Sequence, residues 1–502
     1  MKTSATKYDE AAFDKLWGSI KAGGGITPAT LFHHAILNGW TQPLATTDQD
    51  TKDIKTGRLF AEANRGKLLF IPSTNEVLKF TAHGWVKGST RDAELAAKAV
   101  VTQMRADAFD LFRKDHTSPE AKQLNRLADN SSSAERIRAM IEMAKSEPYM
   151  SADITAFDAN PNWLGVKNGV LDIENVVLLA VTPSLLVSKR ANVLYDRQAK
   201  YPQWQRFLED IQPDSEIRRM LKQLVGVFLS GDVTLQKMIF FYGQGANGKS
   251  TFIEVIASIL GDYAKSIQTE MLMHHQRSPQ GPSADIVSLK GRRLVYCNEV
   301  EEGRRLAEAR VKELTGGDTL AGRVPYAREE IAFQPTHKLV MIGNHKPEIH
   351  DMSYGMWRRM LLIPFDQIIP RNKRDPNMVS KLKNESSGIL NWALDGYRDY
   401  RLNGLCEPQV VTAATDAYKS EMDILGEWLK DSCTVTAGGR VQKDGCYRAY
   451  GNWARSHGHY PLSQTKFTRK LSERGFKQDA GKRNFEGLVL NDQGLRMQNR
   501  IL

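Results

Sequence analysis

The chain has 502 residues, 41% hydrophobic and 25% charged, which is a globular balance and too much length for one ordinary core; about three domains are expected. No run approaches the ~18 apolar residues of a membrane-spanning helix, and Met1 to Tyr8 lacks a secretory signal, so a cytoplasmic protein without membrane contact is expected. A formal charge of +11 points to a polyanionic partner, while Cys297, Cys406, Cys433 and Cys446 lack the spacing of a disulfide framework or, with His457 and His459, of a zinc finger.

In chain order, Tyr8 to Trp17 predicts a helix, broken by Gly23-Gly24-Gly25, and Thr27-Pro28 opens a second that ends at Gly39. Two apolar runs, Lys67 to Ile71 and Val77 to Phe80, flank Thr74-Asn75 as in a small hairpin. Asp92 to Lys114 carries one apolar stripe and predicts a long amphipathic helix. Helices follow over Pro119 to Leu127 and Ala134 to Lys145, with Ser131-Ser132-Ser133 as an N-cap region. Asn168-Gly169 between apolar residues is a hairpin cue, and Tyr195 to Pro202 reads as a linker.

The segments that carry chemistry come next. Lys237 to Tyr242 is a buried-strand run ending at Gly243-Gln-Gly-Ala-Asn-Gly-Lys-Ser250, with a helix over Thr251 to Leu260. That is a phosphate-binding loop: Gly243, Gln244, Gly245, Ala246, Asn247 and Gly248 lend backbone N–H groups, and the helix start adds a favourable dipole. Lys249 is placed to reach the β- and γ-phosphates, and Ser250, followed by Thr251, to ligate magnesium; the expected ligands are ATP and Mg2+. A second apolar strand ends in Asn298-Glu299, where Glu299 is the candidate for polarising water and holding the metal. A third, Lys338 to Gly343, ends at Asn344, an amide suited to the γ-phosphate. Arg358 and Arg359 precede the run Met360 to Phe365 and suit an arginine finger, a role usually filled from a neighbouring subunit.

Between these strands lies Lys312-Glu-Leu-Thr-Gly-Gly-Asp318, then a predicted hairpin over Leu320 to Phe333 whose tip carries Arg323, Tyr326 and Arg328, charge and a ring for nucleic acid. Leu425 to Leu502 reads as three helices and a hairpin, fitting a winged helix. Lys466, Arg469 and Lys470 flank the apolar face of its third helix, and Lys482-Arg483 mark the wing.

The phosphate loop, the Lys-Glu-Leu-Thr-Gly-Gly-Asp block, Gly-Asn-His-Lys-Pro and Trp-Arg-Arg together resemble the phage/plasmid primase-helicase family, superfamily 3 helicases related to the poxvirus primase-helicase. Asn168 to Asp172, Tyr195-Asp196, Trp204 and Phe207 resemble the domain preceding that helicase, and Gly25 to Trp40 a small helical module found after its primase domain. The expected fold is α/β: an AAA+-like P-loop ATPase core with a mixed α+β N-terminal region and a C-terminal winged helix. The expected domains are a helical module over 1–48, a linking or collar domain over 49–205, the ATPase over 206–412 and the winged helix over 413–502.

The resemblance implies a homo-hexameric ring moving 3′-to-5′ on single-stranded DNA, with the hairpin in its channel, in the bacterial host of a phage, prophage or plasmid-like element. Glu299 matches its Walker B acid, Asn344 its sensor 1 and Arg358 its finger, while Lys312, Arg323, Tyr326 and Arg328 fall in its DNA-contact segment. Single-stranded and forked DNA are the expected partners. Primer synthesis by this chain is not expected, because no Asp-x-Asp with a partnering His precedes the linking domain; a separate primase would serve it. Two other readings remain: a nucleotide-switched origin-binding protein that does not unwind, and an ATPase that pumps or remodels DNA.

Overall fold

The computed structural model of the protein describes residues 51–274, 284–298, 301–323 and 330–500. The expected module over 1–48 lies outside the described residues, as do Glu299, Tyr326 and Arg328. Among the described residues, no helix is long and apolar enough to cross a membrane.

Helix α1 (Lys52–Ala63) leads into an antiparallel meander of β1 (Leu68–Ile71), β2 (Glu76–Thr81) and β3 (Gly84–Lys87). Asn75 turns the expected hairpin at a φ of 52°, a left-handed conformation that Asn tolerates better than most residues. The third strand is too short for its pattern to show, with Trp85 as its large buried side chain. Helix α2 (Thr90–Lys114) begins at a capping box in which Ser89 and Asp92 satisfy each other's backbone N–H. Helices α3 (Pro119–Asn130) and α4 (Ala134–Lys145) follow, and Ser133 caps α4 as expected. Phe60, Val101, Met104 and Met140 fill the core between these helices and the meander.

A second antiparallel sheet is built from β4 (Trp163–Val166), β5 (Gly169–Asp172) and β6 (Val177–Leu179). Its first turn differs from the expected one. Val166 pairs with Gly169, so Lys167 and Asn168 are the central residues. The Asn168 amide instead holds the linker, donating to Tyr195 O at 2.9 Å and accepting from Tyr195 N–H at 3.0 Å. Leu164, Leu171 and Val193 share one hydrophobic core with Trp204, Phe252 and Trp392, so apolar packing continues across residue 205.

Helices α5 (Pro202–Ile211) and α6 (Ser215–Leu229) lead to the central unit. Its elements run β7 (Met238–Tyr242), α7 (Lys249–Leu260), β8 (Ala264–Ser266), α8 (Ala284–Val287), β9 (Leu294–Asn298) and α9 (Glu308–Gly316). Then come the short pair β10 (Leu320–Gly322) and β11 (Ile331–Phe333), β12 (Lys338–Gly343), α10 (Tyr354–Trp357), β13 (Met360–Pro364), α11 (Met378–Lys383), α12 (Ser386–Asn403) and α13 (Gln409–Glu421). Five strands form a sheet in the order β13-β7-β12-β9-β8, every neighbouring pair parallel. Both faces are covered, which is why Met238 to Phe241 and Leu339 to Met341 are fully buried apolar runs rather than alternating ones. A parallel sheet gathers the carboxyl ends of its strands on one edge, where ligands of such folds bind.

The C-terminal unit differs from three helices and a hairpin. It runs α14 (Ile424–Ser432), β14 (Cys433–Gln442), α15 (Lys443–Ser456), α16 (Gln464–Glu473), β15 (Asn484–Leu490) and α17 (Asp492–Asn499), with β14 antiparallel to β15. Of the ten residues of strand β14 only Cys433 and Gly439 are buried, and its register shifts between Val435 and Arg440. No alternation announces it. Trp428, Tyr450 and Phe467 make the core, the last two rings stacked at 4.8 Å.

Candidate active site

The glycine-rich loop leaves the carboxyl end of β7, at the middle of the sheet, and delivers the chain into α7. Two glycines are there because nothing larger fits. A Cβ on Gly243 would lie 2.2 Å from Phe365 O, and one on Gly248, at a φ of 82°, would lie 2.4 Å from Ile211 Cγ2. Gly245 faces open space. Gln244, Gly245, Ala246 and Ser250 are exposed, whereas Asn247 is buried and braces the loop, its amide donating to Phe365 O at 2.7 Å and to Gln244 O at 2.5 Å.

Lys249 is buried at the first position of α7. Its ammonium donates to Gly243 O at 2.6 Å, Asn247 Oδ1 at 2.9 Å and Asn344 Oδ1 at 3.3 Å. Among the described residues no carboxylate pairs with it, and burial pushes its pKa down to about 8. Asn344 reaches this point because β12 lies beside β7 in register, Gly343 opposite Tyr242. Asn298 ends β9 on the far side of β12, at this same edge of the sheet. The cleft enclosed has a volume of about 510 Å³ and is lined by the loop, Ser250, Thr251, Asn298 and Asn344.

His345 and Glu301 line it too. Neither was singled out by sequence; His345 had one signal, its place directly after the sensor residue. A buried ammonium held, among the described residues, by neutral oxygens, under a loop of exposed residues, fits a polyphosphate. Ser250 at the cleft wall has the hydroxyl a magnesium ion would need.

The two arginines are elsewhere. They precede β13, and Met360 pairs with Met238 at the start of β7, so they sit at the edge of the sheet opposite the loop. Five strand residues separate the two edges, roughly 16 Å. Arg358 is exposed and donates from both terminal nitrogens to Gln236 Oε1 at 3.0 Å. Arg359 is turned inward onto Gly355 O at 2.6 Å, and burial beside Arg358 lowers its pKa. The cleft therefore receives neither from its own chain.

The nucleic-acid candidates fall into three places. Arg323 is exposed after β10, at the start of the hairpin whose tip is not described. Lys482 and Arg483 are exposed at the turn into β15, Lys482 at a φ of 53°. Lys312, on α9, pairs with Asp351 at 2.5 Å and shares a cleft with Lys466, Arg469 and Lys470 of α16. Lys470 does not offer its charge to open solvent as expected: its ammonium donates to His350 O in the body at 2.9 Å, and burial lowers its pKa.

A doubly covered parallel sheet, with a glycine-rich loop and buried lysine at its central carboxyl edge, defines an α/β protein with an open cleft at that edge. Comparison with known proteins narrows this. Residues 57–213 match the model of the D5 N-terminal-like domain, and residues 241–359 match a family of unknown function (DUF5906). The chain is 28% identical over 295 residues to "Putative helicase L207/L206" of Acanthamoeba polyphaga mimivirus, covering 55% of this chain and 31% of that one. It is 26% identical over 220 residues to "Putative primase C962R" of African swine fever virus (isolate Warthog/Namibia/Wart80/1980), covering 41% and 22%. It is 25% identical over 331 residues to "Putative helicase 121R" of Invertebrate iridescent virus 3, covering 59% and 35%. The chain is thus similar to viral proteins named helicases and primases, and its matches span about a third or less of the length of these curated relatives. Among solved structures, the NrS-1 C-terminal region superposes with a TM-score of 0.46 at 10% identity, covering 88% of this chain and 100% of that one.

Proposed function

We propose that the protein is an ATP-dependent replicative DNA helicase, acting as a homo-hexameric ring that moves 3′-to-5′ along single-stranded DNA. Its relatives' names support a helicase, and its sheet order suits an AAA+-type ATPase. The observation that carries the reading is the buried Lys249 ammonium, held between the phosphate loop and Asn344 at the central carboxyl edge.

In this reading the loop N–H groups and Lys249 bind the β- and γ-phosphates, and Asn344, already within reach of Lys249, orients the terminal phosphate or the attacking water. Magnesium, held by Ser250 and Glu299, would neutralise phosphate charge. Glu299 polarises the water. Arg358 serves the cleft of the neighbouring subunit, because its own cleft lies across the sheet. The β10–β11 hairpin, with Arg323, Tyr326 and Arg328, faces DNA in the channel, and the C-terminal unit, fitting a winged helix, adds further contact through Lys482 and Arg483. Single-stranded and forked DNA are the substrates, a phage, prophage or plasmid-like element the setting, and a separate primase the partner.

Lys249→Ala tests it on a forked duplex. The variant should lose ATP turnover and strand displacement while still assembling, and a variant that unwinds the fork removes the assignment. Wild-type protein with DNA-stimulated hydrolysis but no displacement would favour the nucleotide-switched initiator or a DNA-remodelling ATPase.

A further inference from the structure

The cleft between the central unit and the C-terminal unit has a volume of about 900 Å³ and combines positive charge with an open aromatic face. Seven Lys and Arg side chains line it against four carboxylates. Part of that charge is spent internally: Lys312 pairs with Asp351 at 2.5 Å, Arg305 with Glu308 at 3.4 Å, and Arg474 with Asp423. Lys419 on α13 and Lys466 on α16 are exposed and form no ion pair among the described residues, and Arg469 reaches only Glu473, at 3.6 Å. Tyr354, at the start of α10, is 83% exposed and lines the same cleft. An aromatic ring left almost wholly in water beside unpaired lysines is the pattern of a surface that stacks bases and tracks phosphates.

We propose that this cleft is a single-stranded nucleic-acid groove in which Tyr354 stacks on a base while Lys419, Lys466 and Arg469 contact the flanking phosphates. The geometry favours a single strand over a duplex. A helix that reads a major groove must project into a channel about 12 Å wide. Here α16 faces protein, and Lys470 is tied to His350 O across the cleft. The charge of α16 is thereby combined with that of α9 and α13 instead of standing alone. The groove rests on reading the protein as a motor on DNA and names a stretch of that strand's path.

Fluorescence anisotropy of the full chain with labelled oligo-dT, and with a duplex of matched length, tests this across a salt series. Tyr354→Ala should weaken oligo-dT binding roughly tenfold, while Tyr354→Phe, which keeps the ring, should bind like wild type. The double variant Lys419→Glu/Lys466→Glu should bind more weakly and reduce the log–log salt slope by about 1.4, two lost single-strand phosphate contacts. If wild type binds oligo-dT and these variants match its affinity and slope, the groove is wrong. It is equally wrong if the double variant loses duplex binding but keeps oligo-dT, since α16 would then read double helix. Fork unwinding by the wild type is read separately, so a motor without this groove is distinguishable from a protein that is no motor.

Discussion

Lys249 concentrates the chemistry of the site, and its environment makes a pH-dependent prediction. Burial holds its pKa at about 8 in the free protein. A triphosphate set against it would favour the ammonium and raise that pKa, so the complex retains a proton the free site loses above pH 8. Affinity for a fluorescent ATP analogue should be level below about pH 8 and fall up to tenfold per unit above it, until the bound-state pKa is reached. Lys249→Ala should bind weakly with no inflection there; a wild-type affinity that stays level through pH 9.5, roughly 1.5 units beyond the free pKa, removes the lysine from phosphate binding. This residue was legible in sequence because the loop supplies its contacts within a few positions, Gly243 and Asn247 before Lys249. The Lys470 contact was not. His350 lies 120 positions away, and only the packing of two units brings its carbonyl to that ammonium.

At the scale of elements, the sheet edge depends on how tightly α6 and α12 cross behind it. A Cβ on Gly226 would lie 2.2 Å from Tyr397 N, and one on Gly396 would lie 2.0 Å from Lys222 O, backbone atoms that cannot turn aside. Gly226→Ala should therefore push the helices apart and cost about 1–3 kcal/mol, although alanine is the better helix former. A lower denaturant midpoint checks this, and an unchanged or higher one would show that the crossing yields easily. Strands β7, β9 and β12 were readable because burial on both faces writes them as unbroken apolar runs. Strand β14 was not, since Gly438 and Gly439 interrupt it, its register shifts, and its pairing is imposed by β15. The three-residue strand β8 was missed likewise, being set by its place beside β9.

In the whole molecule, the two halves of the proposed reaction machinery sit on opposite edges of one rigid sheet. The sheet is tied to the units before it by buried cations: Arg293 reaches Leu229 O and Trp163 O, and Lys338 reaches Ser230 O and Asp232 O. A finger roughly 16 Å from its own cleft cannot swing to it without unmaking β13. Of the two arginines, Arg358 is the one free to project, needing only to leave Gln236, whereas Arg359 is anchored inward. Lys249→Ala and Arg358→Ala protomers should then each be inactive alone and active when mixed. In a head-to-tail ring, the loop of an Arg358→Ala subunit meets the finger of a Lys249→Ala subunit and rebuilds an intact site. Random mixing at equal amounts restores roughly a quarter of the interfaces. Hydrolysis that rises from background on mixing, and rises again as either variant approaches equal proportion, is the expected result. Mixed rings that assemble but remain as inactive as their parents would place the finger, or the lysine, in another role.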